Sequence, residues 1–183
     1  MNITIERIKE LRDQSGAGIM ECRNALIEAT GDMEKALEIL KQQSLFKAEK
    51  KKARSATQGL VETYIHTGGR IGAMVEVNCE SDFVARTDEF KGLAHDLAMQ
   101  VAAQDPRFIS REQIPEGADV EPEAACLLLQ PFIKNPEQTI QDLITQTVAR
   151  VGENIRVSRF ARFELGQAES ILAESESGNS ADE

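Results

Sequence analysis

The apolar residues between Ile71 and Ala102 change period, and the change is confined to a few positions. Ile71, Ala73, Val75 and Val77 alternate with Gly72, Met74 and Glu76, the period-two pattern of a strand with one buried face. Phe90, Leu93, Ala94, Leu97, Ala98, Val101 and Ala102 recur at helical spacing. A strand must therefore give way to a helix within Glu76-Val77-Asn78-Cys79-Glu80-Ser81-Asp82-Phe83-Val84-Ala85-Arg86. Asp82 and Phe83 stand side by side at that junction, in the first turn, where a core ring has little company. Two readings are open. The acid complements the helix dipole and the ring is a buried staple, or the pair projects into a partner.

The flanks build outward from this point. Leu60 to His66 reads as a strand, Thr67-Gly68-Gly69-Arg70 as a turn, and Ile71 to Val77 as the returning strand of a β-hairpin. The strong helix spans about 89–104 and ends at Asp105-Pro106. Residues 107–123, with Pro115, Gly117 and Pro122, form a connection. Ala124 to Gln130 is a short apolar segment whose periodicity does not separate helix from strand. After a break at Pro131 to Pro136, residues 137–150 read as an amphipathic helix closed by Gly152. Asn154 to Leu165 is strand-like, with Ile155 and Val157 sharing a face with Ala161, Phe163 and Leu165. Arg156 and Arg162 fall on the other face. Arg159 lands among the apolar positions and Phe160 opposite them, which predicts a bulge or an exposed aromatic.

Upstream, residues 1–46 read as three short helices. Ile5, Ile8 and Leu11 mark the first, about 19–29 the second, and Met33, Ala36, Leu37 and Leu40 the third, with Asp32 as N-cap. Ser15-Gly16-Ala17-Gly18 is an interhelical turn: a phosphate loop needs a longer Gly-x-x-x-x-Gly-Lys-Ser/Thr pattern after a strand. Lys47 to Arg54 is the only dense basic run. It lacks the aromatic interleaving that stacks bases, so it reads as a solvated helix end and linker across 47–58. The α+β core then occupies 59–166. Residues 167–183, rich in Glu, Ser, Ala and Gly, are expected to be a disordered acidic tail.

Totals narrow the function. A formal net charge of -10 weighs against non-specific nucleic-acid binding and against an anionic membrane surface. Cys22, Cys79 and Cys126 lie far apart with no Cys-x-x-Cys, so no metal site is expected, and an odd count suits a reducing cytoplasm. The N-terminal residues have no apolar targeting core. His66 and His95 stand alone, without a nucleophile at a suggestive spacing. No residue set supports an enzyme or a bound cofactor. A helical module, a linker and a core with an acid–aromatic junction fit an interaction protein.

Several of these stretches together resemble one family. Ile8-Lys9-Glu10-Leu11-Arg12, Ser15-Gly16-Ala17-Gly18-Ile19-Met20-Glu21-Cys22 and Val75-Glu76-Val77-Asn78-Cys79-Glu80-Ser81-Asp82-Phe83-Val84-Ala85 look like signatures of the translation elongation factor Ts family. So do Val151-Gly152-Glu153-Asn154-Ile155 and Arg159-Phe160-Ala161-Arg162-Phe163-Glu164-Leu165-Gly166. The resemblance implies an α+β fold: a ubiquitin-associated-like three-helix module at 1–46, then a dimerisation-type core with an antiparallel sheet and packed helices. It implies a cytoplasmic guanine-nucleotide exchange factor for elongation factor Tu, not an enzyme and without a cofactor. Asp82 and Phe83, flanked by Ser81 and Val84, would wedge into the partner and dislodge its Mg²⁺, and Arg12, Ile19 and Met20 would form the N-terminal contact. Ser81 replaces the family's usual Thr. The chain has one hairpin–wedge unit where longer members have two related halves, and it lacks a helical stretch of other short members between Pro115 and Gln130. A short form could complete its core as a homodimer, through the strand around Phe160 to Leu165. Two other classes remain: a ubiquitin-associated-like adaptor using only residues 1–46, and an RNA-associated accessory protein using Lys47 to Arg54.

Overall fold

The computed structural model describes residues 3–167. The acidic tail expected at 167–183 lies, apart from Gln167, outside the described residues.

The chain begins with three helices, α1 (Ile5–Ser15), α2 (Ile19–Glu28) and α3 (Met33–Lys51). Each boundary has a local cause. The Thr4 hydroxyl accepts from the Arg7 N–H to start α1, and Gly16 ends it at φ +66, a conformation that favours glycine. The Asp32 carboxylate accepts from the Lys35 N–H at 3.1 Å to start α3. Leu11, Cys22, Ala25, Leu26, Ala36 and Leu40 form a small core of their own between these helices. The third helix does not stop near residue 46. Nothing between Met33 and Lys51 breaks a helix, and Lys, Glu and Ala propagate one, so the basic run supplies its last turns. Cations there also suit the negative end of the helix dipole.

The second core is built on a three-stranded antiparallel sheet of β1 (Gln58–Ile65), β2 (Ile71–Cys79) and β5 (Arg156–Glu164), in the order β1-β2-β5. The hairpin pairs Leu60 with Val77 and Ile65 with Gly72. After β2 come the one-turn helix α4 (Asp82–Ala85) and the long helix α5 (Asp88–Gln104). Ala73, Val75, Val77 and Cys79 of β2 are buried in one cluster with Phe90, Leu93, Leu97, Ala98 and Val101 of α5, as the two periods predict. The Thr87 hydroxyl caps α5 by accepting from the Phe90 N–H at 3.2 Å. Beyond α5 the chain makes α6 (Pro122–Ala125), the short strands β3 (Pro131–Phe132) and β4 (Asn135–Thr139), and α7 (Ile140–Val151). Ile140, Ile144 and Val148 of α7 complete the core.

Three further expectations change. Residues 137–139 are strand, not helix. Thr139 and Asp142 form a capping box, each side chain bonding the other's backbone N–H at 3.1 Å, and this fixes the start of α7 at Ile140. The ambiguous 124–130 segment is neither one helix nor one strand. It is the end of α6, an isolated bridge from Cys126 to Phe108, and a 3₁₀ turn at Leu127–Leu129 that buries Leu127. In β5 the expected bulge is present at Ser158, where the register moves from Val77↔Val157 to Glu76↔Arg159. The bulge reverses the two faces beyond it. Phe160 packs on the core and the Arg162 side chain is largely buried, whereas Ala161, Phe163 and Leu165 face outward. Phe163, not Phe160, is the exposed aromatic. Val61, Ile65 and Met74 are exposed with it.

The β3–β4 hairpin is tied to α5 by Gln100, which is fully buried. Its amide donates to Gln130 Oε1 and to the Pro131 carbonyl, both at 3.1 Å, and its oxygen accepts from the Ile133 N–H at 3.0 Å. Gln100→Leu keeps the volume and strands those partners in a dry site. It is expected to cost about 2–4 kcal/mol in urea-denaturation free energy. Loss of less than about 0.5 kcal/mol would mean water replaces the amide.

Candidate functional site

Ser81 is the N-cap of α4, and its hydroxyl accepts from the Val84 N–H at 3.4 Å. Val84 packs against the core and Ala85 is buried, so this single turn has an inner side. Asp82 and Phe83 lie on the other. The Phe83 ring is 80% exposed, the most exposed large apolar side chain among the described residues, which excludes the staple reading. Asp82 pairs with Arg86 at 2.8 Å, a half-exposed contact that orients the carboxylate rather than stabilising the fold much. Beneath the turn, the Cys79 thiol donates to the Ser81 carbonyl at 3.1 Å. Burial pushes that thiol's pKa up, and the nearby Glu153 carboxylate adds to the shift. A thiol so placed is a packed, protonated group rather than a nucleophile.

The second set of predicted residues stands elsewhere. Arg12, Ile19 and Met20 line a cleft of about 960 Å³ between α1–α3 on one side and β4–α7 on the other. All three are exposed, Ile19 at 56% and Met20 at 62%, so neither apolar side chain is spent on packing the three helices together. None of Ser81, Asp82, Phe83 or Val84 lines that cleft, so the structure forms two separate surfaces rather than one site. Sequence reading missed other residues of the cleft. Lys41 of α3 approaches Asp142 at 3.9 Å, and the Arg150 guanidinium, paired with Glu89, lies against Gly16. These pairs join elements far apart in sequence, which no local pattern reveals. Among the described residues no group of three or more His, Cys, Asp or Glu is placed to hold a metal ion, and no helix is long and apolar enough to cross a membrane.

Comparison with known proteins bears on these surfaces. The family model described as Elongation factor TS matches residues 4–123, which include both predicted sets. The chain belongs to the elongation factor Ts family. Among its relatives is the elongation factor Ts of Carboxydothermus hydrogenoformans, 49% identical over 90% of each chain. That of Heliobacterium modesticaldum is 48% identical over 90% of this chain and 91% of its own. That of Thermoanaerobacter sp. (strain X514) is 45% identical over 90% of this chain and 96% of its own. Nine-tenths of 183 residues, about 165, fill an alignment of 196 positions with the first relative, so roughly 30 of its positions have no counterpart here.

The Ile19–Met20 pair is held in place by Glu21. Its carboxylate accepts from the Gly18 N–H at 3.1 Å and from the Lys47 ammonium. The Lys47 hydrogen bond is the main reason the Glu21 pKa lies below its ordinary value of 4.5, with burial opposing it. A carboxyl whose pKa is lower in the folded state contributes stability above its unfolded pKa and loses that contribution as pH falls through the folded one. Glu21→Gln should therefore be less stable than the parent at neutral pH. The two urea-denaturation curves should converge in strong acid. A gap that persists unchanged in acid would show that the Lys47 pairing is not its source.

Proposed function

We propose that this protein is a guanine-nucleotide exchange factor that binds elongation factor Tu in its GDP-bound and nucleotide-free forms and promotes GDP release, so that GTP can bind, in the cytoplasm. The observation that carries this reading is the exposed Phe83 ring, set beside Asp82 on a turn whose other side is anchored in the core. Full burial of such a ring removes about 1.5–3 kcal/mol of apolar exposure, and aromatic anchors of this kind dominate protein interfaces. In the proposed mechanism Phe83 enters a pocket of the partner's GTPase domain, with Ser81, Asp82 and Val84 around it. Partner elements that hold Mg²⁺ are displaced. Mg²⁺ offsets the charge of the nucleotide phosphates, so its loss weakens the hold on GDP. Factor and nucleotide then each lower the other's affinity, as linkage requires. No covalent bond is made or broken. Arg12, Ile19 and Met20 provide a second contact with the same domain, held apart from the wedge by the body of the core.

The decisive measurement is release of a fluorescent GDP analogue from elongation factor Tu. The wild-type chain should accelerate it. Phe83→Ala should slow the accelerated rate by about 10- to 100-fold. The substitution should leave thermal stability close to the parent's, because the ring touches so little of its own protein. Normal exchange by Phe83→Ala would remove the wedge. Binding without acceleration would leave an adaptor.

The outer face of the sheet supports a further part of this reading, a homodimer. Ile65, Gly72 and Phe163 lie in one cross-strand row and Thr63, Met74 and Ala161 in the next. Ile65, Met74 and Phe163 leave this face apolar and open to water, and a two-fold axis would pack it against its own copy, sheet on sheet. Phe163→Glu is expected to convert a dimeric mass in sedimentation to a monomeric one. A monomeric wild type at micromolar concentration would dispose of the dimer and leave the exchange reading standing.

A further inference from the structure

The turn after α7 and the loop before α4 are joined by a reciprocal set of hydrogen bonds. The Glu153 carboxylate accepts from the backbone N–H of Glu80 at 3.1 Å, from that of Ser81 at 2.9 Å, and from Ser81 Oγ at 2.5 Å. In return the Glu80 carboxylate accepts from the Asn154 N–H at 2.7 Å. Each carboxylate thus takes a backbone N–H from the segment that carries the other. The mount itself is fixed. Asn154 is buried, and its amide donates to the Arg54 carbonyl at 2.8 Å and the Lys52 carbonyl at 3.3 Å, where α3 ends.

Every polar group of Ser81 is engaged in this arrangement. Its N–H and hydroxyl donate to Glu153, its carbonyl accepts from Cys79, and its hydroxyl oxygen accepts from Val84 to start α4. Asp82 and Phe83 follow directly, with no hold of comparable strength beyond the exposed Arg86 pair. A carboxylate that accepts several hydrogen bonds makes stronger ones than a neutral acceptor or water would. Its two oxygens also fix the direction of the loop as well as its position. The loop is only half-buried, so water could satisfy these N–H groups if satisfaction were all that was needed.

We propose that Glu153 is a positioning residue for nucleotide exchange: it holds Ser81 so that the Asp82–Phe83 pair leaves the surface in one orientation. This rests on the exchange reading above. Loss of the clamp lets the wedge loop sample other orientations. It leaves the Arg12, Ile19 and Met20 surface untouched. The rate at saturating factor should fall while the half-saturating concentration changes little.

The test uses the full chain and release of the fluorescent GDP analogue from elongation factor Tu over a concentration series. Wild type, Glu153→Ala, Glu153→Gln, Glu153→Asp and Phe83→Ala are compared, with amide hydrogen exchange measured on each. Glu153→Ala is expected to lower the plateau rate about tenfold, with the half-saturating concentration within about twofold. Glu153→Gln should stay within about threefold of wild type. Its carbonyl can keep both backbone N–H bonds, and its amide can donate to the Ser81 hydroxyl. Exchange at the Glu80 and Ser81 amides should quicken in Glu153→Ala while that of Val75 and Val77 stays slow. If Glu153→Ala does not fold, Glu153→Asp, which keeps the charge and draws it back by one methylene, carries the same expectation. A wild-type plateau with quickened Glu80 and Ser81 amides overturns the proposal. So does a lost plateau accompanied by quickened exchange throughout β2, which would mean general destabilisation. If Phe83→Ala abolishes acceleration and Glu153→Ala does not, only the positioning role fails. If Phe83→Ala retains full activity, the wedge reading fails and the positioning role falls with it.

Discussion

Val75 and Val77 of β2 are fully buried in the cluster that also holds Phe90, Leu97 and Val101 of α5, and the short connection between the two elements has little freedom left. The chain leaves the sheet at Cys79 and enters α5 at Asp88. Within that span Val84 and Ala85 pack down onto the core. One turn of helix cannot bury residues all round, so seating Val84 and Ala85 turns Phe83 outward. Exposure of the ring is thus a geometric consequence of the β2–α5 contact, and it forfeits the burial energy that a phenylalanine ordinarily contributes. A second surface that covers the ring would recover that energy.

Two polar networks then hold segments that hydrophobic packing alone would leave loose. Gln100 and Gln130 fasten the β3–β4 hairpin to α5. Glu153, Glu80 and Asn154 fasten the loop before α4 to the end of α7 and to the end of α3. Both succeed because their groups are satisfied: among the described residues no buried side-chain nitrogen or oxygen lacks a partner. A half-satisfied network in the same places would cost more than an apolar one. The two differ in burial. Gln100 is wholly enclosed and its work is structural, whereas Glu153 sits at the rim, beside residues that point into solvent.

Much of this was legible because it is local. The Gly68–Gly69 turn, the alternation along β2, the helical spacing from Phe90 to Ala102 and the Asp32 cap each lie within one element, and the structure forms each where the pattern puts it. The capping box at Thr139 and Asp142 is present in the sequence too, but the break that ends at Pro136 puts the start of the helix at residue 137. What could not be read locally were side-chain bonds across the fold. Glu153 was visible only as part of Val151-Gly152-Glu153-Asn154-Ile155, because its partners Glu80 and Ser81 lie more than seventy positions away. Arg150 against Gly16 is a similar case. Exposure of Phe83, Ile19 and Met20 was undecidable for a different reason: apolar residues at helix starts satisfy core and interface patterns equally.

Ser158 shows how one residue settles two surfaces at once. With no partner across from it, the residue shifts β5 by one position against β2, and its hydroxyl donates to Asn78 Oδ1. Without the shift, Phe163 would share the inner face with Val157, and Arg162 would face water. With it, Phe160 packs on the core. Arg162 turns inward, donates to the Ala102 carbonyl at 3.1 Å and meets Asp105 at 3.6 Å, satisfying the end of α5. Ala161 and Phe163 then join Met74 and Ile65 on the outside. The same inserted residue therefore closes the C-terminal end of α5 and creates the apolar face on the other side of the sheet. Without the bulge Arg159 would take the place of Phe160 opposite Val75, burying an arginine where the core has an aromatic, so these two surfaces cannot be altered independently.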